Sequence, residues 1–349
     1  MSATEAMNTN AAAAPESTPQ VGRVPGVRIV GTGSALPSRT VTNDDLAQIV
    51  DTSDEWISTR TGIRSRRYCD REQGESELTL ARDAARCALE ASGHTADEVG
   101  ICLVASFTPA AATPSTACLL QRELGLAEDT LCLDVNAACA GFVYALYVAA
   151  SLLEHTPQPL ALVVGAEELS RVMDFSDRST CVLFGDGAGA AVLERAADAP
   201  ALTATWGSRG NDEALFAPGV GSVDEAGEPR PSYLTMDGRA VFRFATEVLP
   251  KCTSEVLQAA GVDASDVDRF VFHQANKRIV DVAVRKLGLD PARCAGNIDH
   301  TGNTSAASVP ILLDELVRTG ELSSPARVVM AGFGAGLTWA SCLVEVASS

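Results

Sequence analysis

Two glycine-rich turns in opposite halves of the chain constrain its fold most. Phe184-Gly185-Asp186-Gly187-Ala188-Gly189 runs into Ala190-Ala191-Val192-Leu193-Glu194. Gly332-Phe333-Gly334-Ala335-Gly336 runs into Leu337-Thr338-Trp339 and then Ala340 to Glu345. Each is a glycine turn entering an apolar strand that ends in Glu, which predicts a duplicated fold. Short apolar runs at 27–30, 100–106, 129–135, 160–165 and 180–184 read as strands, separated by helical patterns at 77–91, 115–124 and 142–153. A second series repeats the plan, with strands at 201–207, 270–273, 327–331 and 338–346 and helices at 239–260, 277–287 and 305–318. The alternation predicts an α/β layered fold of two similar halves, 26–198 and 199–349, after a disordered tail over 1–25. The stretch 219–231, rich in Gly, Glu and Pro, reads as an exposed loop. Neither Gly31-x-Gly33 nor Gly185-x-Gly187-x-Gly189 is a G-x-G-x-x-G opening a helix, so the glycines do not signal a dinucleotide site.

Charge narrows the function. The formal net charge is −18 over 349 residues, which argues against a nucleic-acid binder, whose affinity depends on neutralising phosphates. An acidic protein partner would have to meet a local basic patch. The ten cysteines form no C-x-x-C pair and lie mostly in apolar patterns, which predicts reduced thiols in the cytoplasm and no metal site. The longest apolar stretch, Ala137 to Leu153, is short for a membrane span and reads as a helix buried on all sides.

Within that stretch, Cys139 follows a buried strand and precedes a buried helix, with Ala137, Ala138, Ala140 and Gly141 around it. Small neighbours admit a substrate carbonyl, and a helix N-terminus favours thiolate. A buried Cys is also a small hydrophobe, so Cys139 has two readings at this point. Of four histidines, His94, His155 and His300 fall in loops. His273 ends the apolar run Arg269-Phe270-Val271-Phe272, and strand C-termini are where α/β proteins place functional groups. Asn303, in Gly302-Asn303-Thr304-Ser305, reads as a turn residue or as an amide donor to a carbonyl oxygen.

With Cys139, His273 and Asn303 in this order, the chain from about Ile29 onward resembles the β-ketoacyl-acyl carrier protein synthase III family of thiolase-like condensing enzymes. Further shared motifs are Gly31-Thr32-Gly33-Ser34, Asp51 to Ile57, Thr59-Arg60-Thr61-Gly62-Ile63, His273-Gln274-Ala275-Asn276 and Gly302 to Ser308. The resemblance implies a thiolase-like α/β/α/β/α fold and a decarboxylating Claisen condensation. Cys139 would take an acyl group from acyl-CoA. His273 and Asn303 would hold the thioester carbonyl of malonyl-acyl carrier protein while carbon dioxide leaves. No metal or redox cofactor is implied, since the CoA thioester is a substrate. The backbone N–H groups of Cys139 and Ala335 would form a second oxyanion hole, and Phe333 would shield the sulfur.

The same resemblance assigns the CoA adenine to Trp56 and Arg178, and the pantetheine channel to Arg60, Met236, Gly238 and Asn276. Carrier-protein docking falls to Arg243, Lys277, Arg278, Arg285 and Lys286. Thr113, where acetyl-selective relatives often carry an aromatic residue, would leave room for a longer or branched primer. A homodimer is implied, and neither membrane nor nucleic acid. A biosynthetic thiolase is disfavoured because Cys342 lies mid-strand, and a type III polyketide synthase by the Asp51–Ile57 segment. A specialised condensing or acyltransfer enzyme of secondary metabolism is the alternative within the fold. A non-enzymatic acyl-binding scaffold is the alternative outside it.

Overall fold

The computed structural model describes residues 19–219, 222–223, 227–229 and 232–347. Most of the expected tail, residues 1–18, and positions 220–221, 224–226 and 230–231 of the expected loop lie outside the described residues. The strands are β1 (Gln20–Val24), β2 (Val27–Ala35), β3 (Arg39–Thr42), β4 (Ser65–Tyr68), β5 (Val99–Ala105), β6 (Leu131–Val135) and β7 (Leu160–Glu167). They continue with β8 (Gly187–Arg195), β9 (Leu202–Asn211), β10 (Leu215–Phe216), β11 (Thr235–Met236), β12 (Arg269–Phe272), β13 (Ala326–Gly334) and β14 (Gly336–Val346). The helices are α1 (Asn43–Leu46), α2 (Asp54–Thr61), α3 (Glu77–Ser92), α4 (Thr116–Leu124) and α5 (Gly141–Leu153). After them come α6 (Gly238–Ala260), α7 (Lys277–Leu287), α8 (Ile298–Thr301) and α9 (Ser308–Arg318).

The duplication read from the glycine turns is written in the strand pairing. One set runs β6-β5-β7-β8-β2 and the other β12-β13-β14-β9-β1. β5 pairs parallel with β7, as β12 does with β13. β7–β8–β2 is antiparallel throughout, as is β13–β14–β9. The two sets join where the end of β14 pairs with the start of β2, placing Glu345 against Arg28. Arg28 also binds Glu194 of β8 at 2.9 Å, and the charge of Glu345, its register partner across the seam, acts on the same guanidinium from farther away.

Layering follows from which helix faces are apolar. α5 carries almost no polar side chain and packs between the two sets with α9, in a core that includes Phe142, Leu146, Val163, Leu312 and Met330. α3 and α4 cover the outer face of the first set, and α6 and α7 that of the second. The result is the five-layer α/β/α/β/α arrangement.

Three local expectations differ. Residues 180–184 form turns, with only an isolated bridge from Phe184 to Asn303; the strand of this segment starts among the glycines, at Gly187. Within the stretch expected as tail, Gln20–Val24 pairs with β9 along the outer edge. Its alternate residues Gly22 and Val24 are buried, too short a period to stand out beside a polar leader. The helix expected from Ser305 begins with a single tight turn, Ser305–Ala307, and becomes α-helical at Ser308.

Candidate active site

Cys139 lies in the tight turn Ala138–Ala140 that joins β6 to α5. Ala138 holds φ +45°, one of two non-glycine residues with positive φ among those described. The turn is pressed against β13. A Cβ on Gly334 would stand 2.8 Å from the Cys139 nitrogen and 3.2 Å from its sulfur, so only glycine permits this approach. The thiol is 7% exposed, and burial pushes it up to about 12, opposed by the Ser305 hydroxyl and the residue's own N–H. The expected helix-end assistance to thiolate is thus outweighed by desolvation in the resting protein.

His273 and Asn303 reach the same cavity from the second half. His273 directly follows β12, with its N–H on the Ala331 carbonyl at 2.8 Å. Its ring meets Phe333 edge-on, centroids 5.2 Å apart, and neither ring nitrogen has a partner. Burial alone lowers its pKa to about 3, so the imidazole is neutral across the physiological range. Asn303 is pinned by its N–H to Leu183 O (2.9 Å) and by Gly185 N–H to its own carbonyl (3.0 Å). Its Oδ1 accepts from Ser305 N–H at 2.8 Å, which leaves the amide NH₂ for the cavity. Cys139, His273, Asn303, Phe333, Met236, Gly238 and Asn276 line one cavity of about 190 Å³.

A second cavity of about 580 Å³ opens on the other side of Cys139, bounded by Phe107, Phe184, Phe216 and Ala335. Ala335 is not among the positive-φ residues; Gly336, with φ +130°, takes that conformation instead, so the Ala335 Cβ imposes no backbone strain. Thr113 is exposed and borders neither cavity within this chain.

An outer cavity of about 610 Å³ adjoins the first, with Trp56, Arg60, Arg243 and Arg278 on its wall. Ser53 caps α2 by accepting from Trp56 N–H at 3.1 Å, which fixes the start of the helix carrying the indole. Both Arg60 (4.7 Å) and Arg178 (5.4 Å) lie over the Trp56 ring, and Arg178 also donates to Asp51 O at 2.8 Å. Arg60 therefore shares the indole with Arg178 while lining the same cavity as Gly238 and Asn276. Asn276 caps α7 through Arg278 N–H and donates to Arg60 O at 3.1 Å.

The five basic residues do not act as one cluster. Arg278 stacks on Phe242 at 5.4 Å, and Arg278 and Arg285 are exposed on a shared groove. Lys277 is paired with Asp281 at 2.7 Å, and Lys286 turns to Thr246 O at 2.9 Å on α6.

The sequence reading passed over Gly334, Ser305 and Glu167. Gly334 was visible as the second glycine of Gly332-x-Gly334. Glu167 was visible as an acid ending a fully buried strand, and Ser305 gave no signal beyond its place in the Asn303 loop.

Known proteins resemble the chain along most of its length. The family described as 3-oxoacyl-[acyl-carrier-protein (ACP)] synthase III matches residues 133–210, and its C-terminal family matches 257–346. The chain is 41% identical over 323 residues to the beta-ketoacyl-[acyl-carrier-protein] synthase III of Clostridium acetobutylicum, covering 91% of this chain and 98% of that one. The crystal structure of 3-oxoacyl-[acyl-carrier-protein] synthase III from Aquifex aeolicus VF5 superposes with TM-score 0.83 at 40% identity, over 92% of this chain and all (100%) of that one. The priming beta-ketosynthase of the R1128 polyketide biosynthetic pathway superposes with TM-score 0.85 at 36% identity, over 96% of this chain and 99% of that one. A duplicated five-layer fold, a thiol at its centre and relatives matched along almost their whole length lead to one conclusion: the chain belongs to the β-ketoacyl-acyl carrier protein synthase III family.

Proposed function

We propose that this chain condenses an acyl-CoA primer with malonyl-acyl carrier protein, losing carbon dioxide and starting fatty acid synthesis. The observation that carries the reading is the convergence of Cys139, His273 and Asn303, from three distant segments, on one narrow cavity. Cys139 attacks the primer thioester and expels CoA. The developing oxyanion is met by the Cys139 and Ala335 N–H groups, at the turn that Gly334 allows to approach. Malonyl-acyl carrier protein then places its thioester carbonyl against His273 and the Asn303 amide. A neutral imidazole with no protein partner is free to donate its N–H to the enolate oxygen. Phe333, edge-on to that ring, keeps water from the carbanion. The carbanion attacks the acyl-Cys139 carbonyl, forming the β-ketoacyl product and releasing the sulfur. No step calls for a metal or redox cofactor.

Trp56, Arg60 and Arg178 suit the CoA adenine, since a flat base extends the existing cation–π stack. Met236, Gly238 and Asn276 line the passage inward. Arg243, Arg278 and Arg285 are the exposed cations fit to meet an acidic carrier, with Lys277 and Lys286 contributing less because their ammonium groups are already engaged. Thr113 would border the primer pocket only from a partner copy, which accords with a homodimer. Ten unpaired thiols accord with a reducing cytoplasm. Among the described residues, no helix is long and apolar enough to cross a membrane.

A second reading, a priming synthase of secondary metabolism, draws on the R1128 enzyme, whose fold matches 96% of this chain. Assaying condensation with acyl-CoAs of increasing length and branching separates the two. Strict acetyl preference would remove the role of Thr113 and favour the fatty-acid reading. Preference for longer primers keeps both Thr113 and the second reading.

A further inference from the structure

The condensation proposed above uses no buried acid, yet one buried carboxyl is bonded to the walls of both cavities that meet at Cys139. Glu167 ends β7 with no solvent exposure. Its Oε2 accepts from the Thr108 hydroxyl (2.6 Å) and N–H (3.2 Å), the Phe107 N–H (3.3 Å) and the Ser106 hydroxyl (3.3 Å). Its Oε1 accepts from the Ser305 hydroxyl at 2.9 Å. The first oxygen thus holds the turn that brings Phe107 to the wider cavity. The second holds the residue two places after Asn303, which lines the narrow one.

The second contact matters most because of how Ser305 is built. It is buried and holds φ +50°, the second of the two positive-φ non-glycine residues among those described. Such strain persists only where neighbouring contacts over-determine it. Two contacts do so here: the hydroxyl on Glu167, and the N–H on Asn303 Oδ1 at 2.8 Å. The latter sets which way the Asn303 amide faces. The Asn303 backbone is held separately, through Leu183 O and Gly185 N–H, so Glu167 bears on the aim of the side chain and not on the place of the main chain. The Phe107 turn has further support. Arg171 donates to Thr108 O (2.6 Å) and Pro109 O (2.8 Å), and Glu168 N–H donates to the Thr108 hydroxyl (2.9 Å). The Ser305 side therefore depends more heavily on Glu167.

Resting on the proposed condensation, we propose that Glu167 is a positioning residue for it: one buried carboxyl braces the Phe107 turn on the primer side against the Ser305 conformation that aims the Asn303 amide on the malonyl side. Reach and hydrogen-bonding capacity make the brace, not charge. Gln at this position can offer its carbonyl oxygen to the donors of the 106–108 turn and its NH₂ to the Ser305 oxygen, since a hydroxyl accepts as well as donates. Met has a similar length and offers neither group.

The test separates the two chemical steps in wild type, Ser305→Ala, Glu167→Met and Glu167→Gln. Single-turnover acylation by acyl-CoA reads the first, and carbon dioxide release from malonyl-acyl carrier protein by the pre-acylated enzyme reads the second. Ser305→Ala should slow the second step about tenfold and leave the first within roughly twofold. Glu167→Met should show the same loss, and in addition a several-fold slower acylation by the longest primer the wild type accepts. Glu167→Gln should stay close to wild type in both steps. Equal losses in both steps of Ser305→Ala, or a Glu167→Gln as impaired as Glu167→Met, would overturn the proposal, because a merely structural carboxyl gives no such split and no such rescue. Should Glu167→Met not fold, the split in Ser305→Ala decides. Amide exchange needs no substrate: the Ser305 N–H should exchange about tenfold faster in Glu167→Met and at the wild-type rate in Glu167→Gln. Unchanged exchange in a folded Glu167→Met overturns the brace. That acceleration in a protein that condenses no thioester keeps the brace and counts against the proposed function alone.

Discussion

At the residue scale the account separates two chemical steps. Replacing His273 or Asn303 with Ala should leave acyl transfer from CoA to Cys139 within a few-fold of wild type and lower condensation by about 10²–10³. Single-turnover acylation and carbon dioxide release measure the two steps separately. Gly334→Ala places a carbon 3.2 Å from the sulfur and 2.8 Å from the Cys139 nitrogen, so acylation should fall about a hundredfold while the fold persists. The buried imidazole also has a stability signature. Its folded-state pKa lies near 3, below the ordinary 6.5, so the native state binds fewer protons than the unfolded chain between those values. Stability from His273 is therefore complete above 6.5 and declines as pH falls toward 3, by about 1.4 kcal/mol per unit. The difference between wild type and His273→Phe in denaturant unfolding at pH 4 to 7 isolates that slope. Cys139, His273 and Asn303 were legible because each sits at a strand end or glycine turn with few residues to compete. The buried network around Glu167 was not, because it depends on which hydroxyls the fold brings to that carboxylate.

At the scale of single elements, α7 carries the docking prediction. Arg278→Glu with Arg285→Glu should raise KM for the carrier substrate about tenfold and leave acylation by acyl-CoA unchanged, as expected where exposed charges govern encounter. Carrier-protein titrations at low and high salt check it, since the wild-type advantage should shrink with ionic strength. Lys277→Gln should have the smaller effect, because Asp281 already neutralises that ammonium. Helices were read well from the chain: α7 falls on its expected bounds, and α6 on its own to within a residue, with Pro250 in its interior. Short pairings were not. β3 and β4 are four residues each and depend on one another through contacts more than twenty residues apart, which no local period records. The turns at 180–184 misled because their apolar side chains pack into the core under Phe184 without any strand to hold them.

For the whole molecule, the sheet leaves β6 at an edge, with Leu131 40% exposed and apolar side chains along a strand that leads directly to Cys139. An unprotected apolar edge invites pairing with a second copy. Light scattering should give twice the chain mass of 36.3 kDa, and Leu131→Glu should shift the equilibrium toward monomer. The duplicated plan was legible because two glycine turns and two glutamate-ended strands repeat. The seam between the sheets was not, since among the described residues it rests on two paired positions, Glu345 with Arg28 and Val346 with Ile29, and the Ala347 N–H on Ile29 O. The claim on which everything else stands is that Cys139 carries the acyl group. Intact-protein mass spectrometry after exposure to a panel of acyl-CoAs tests it most directly. The account predicts one acyl adduct on wild type, the same adduct on His273→Ala and Asn303→Ala, and none on Cys139→Ser. An adduct that survives in Cys139→Ser, or a wild-type protein that takes up no acyl group from any CoA thioester, would contradict it.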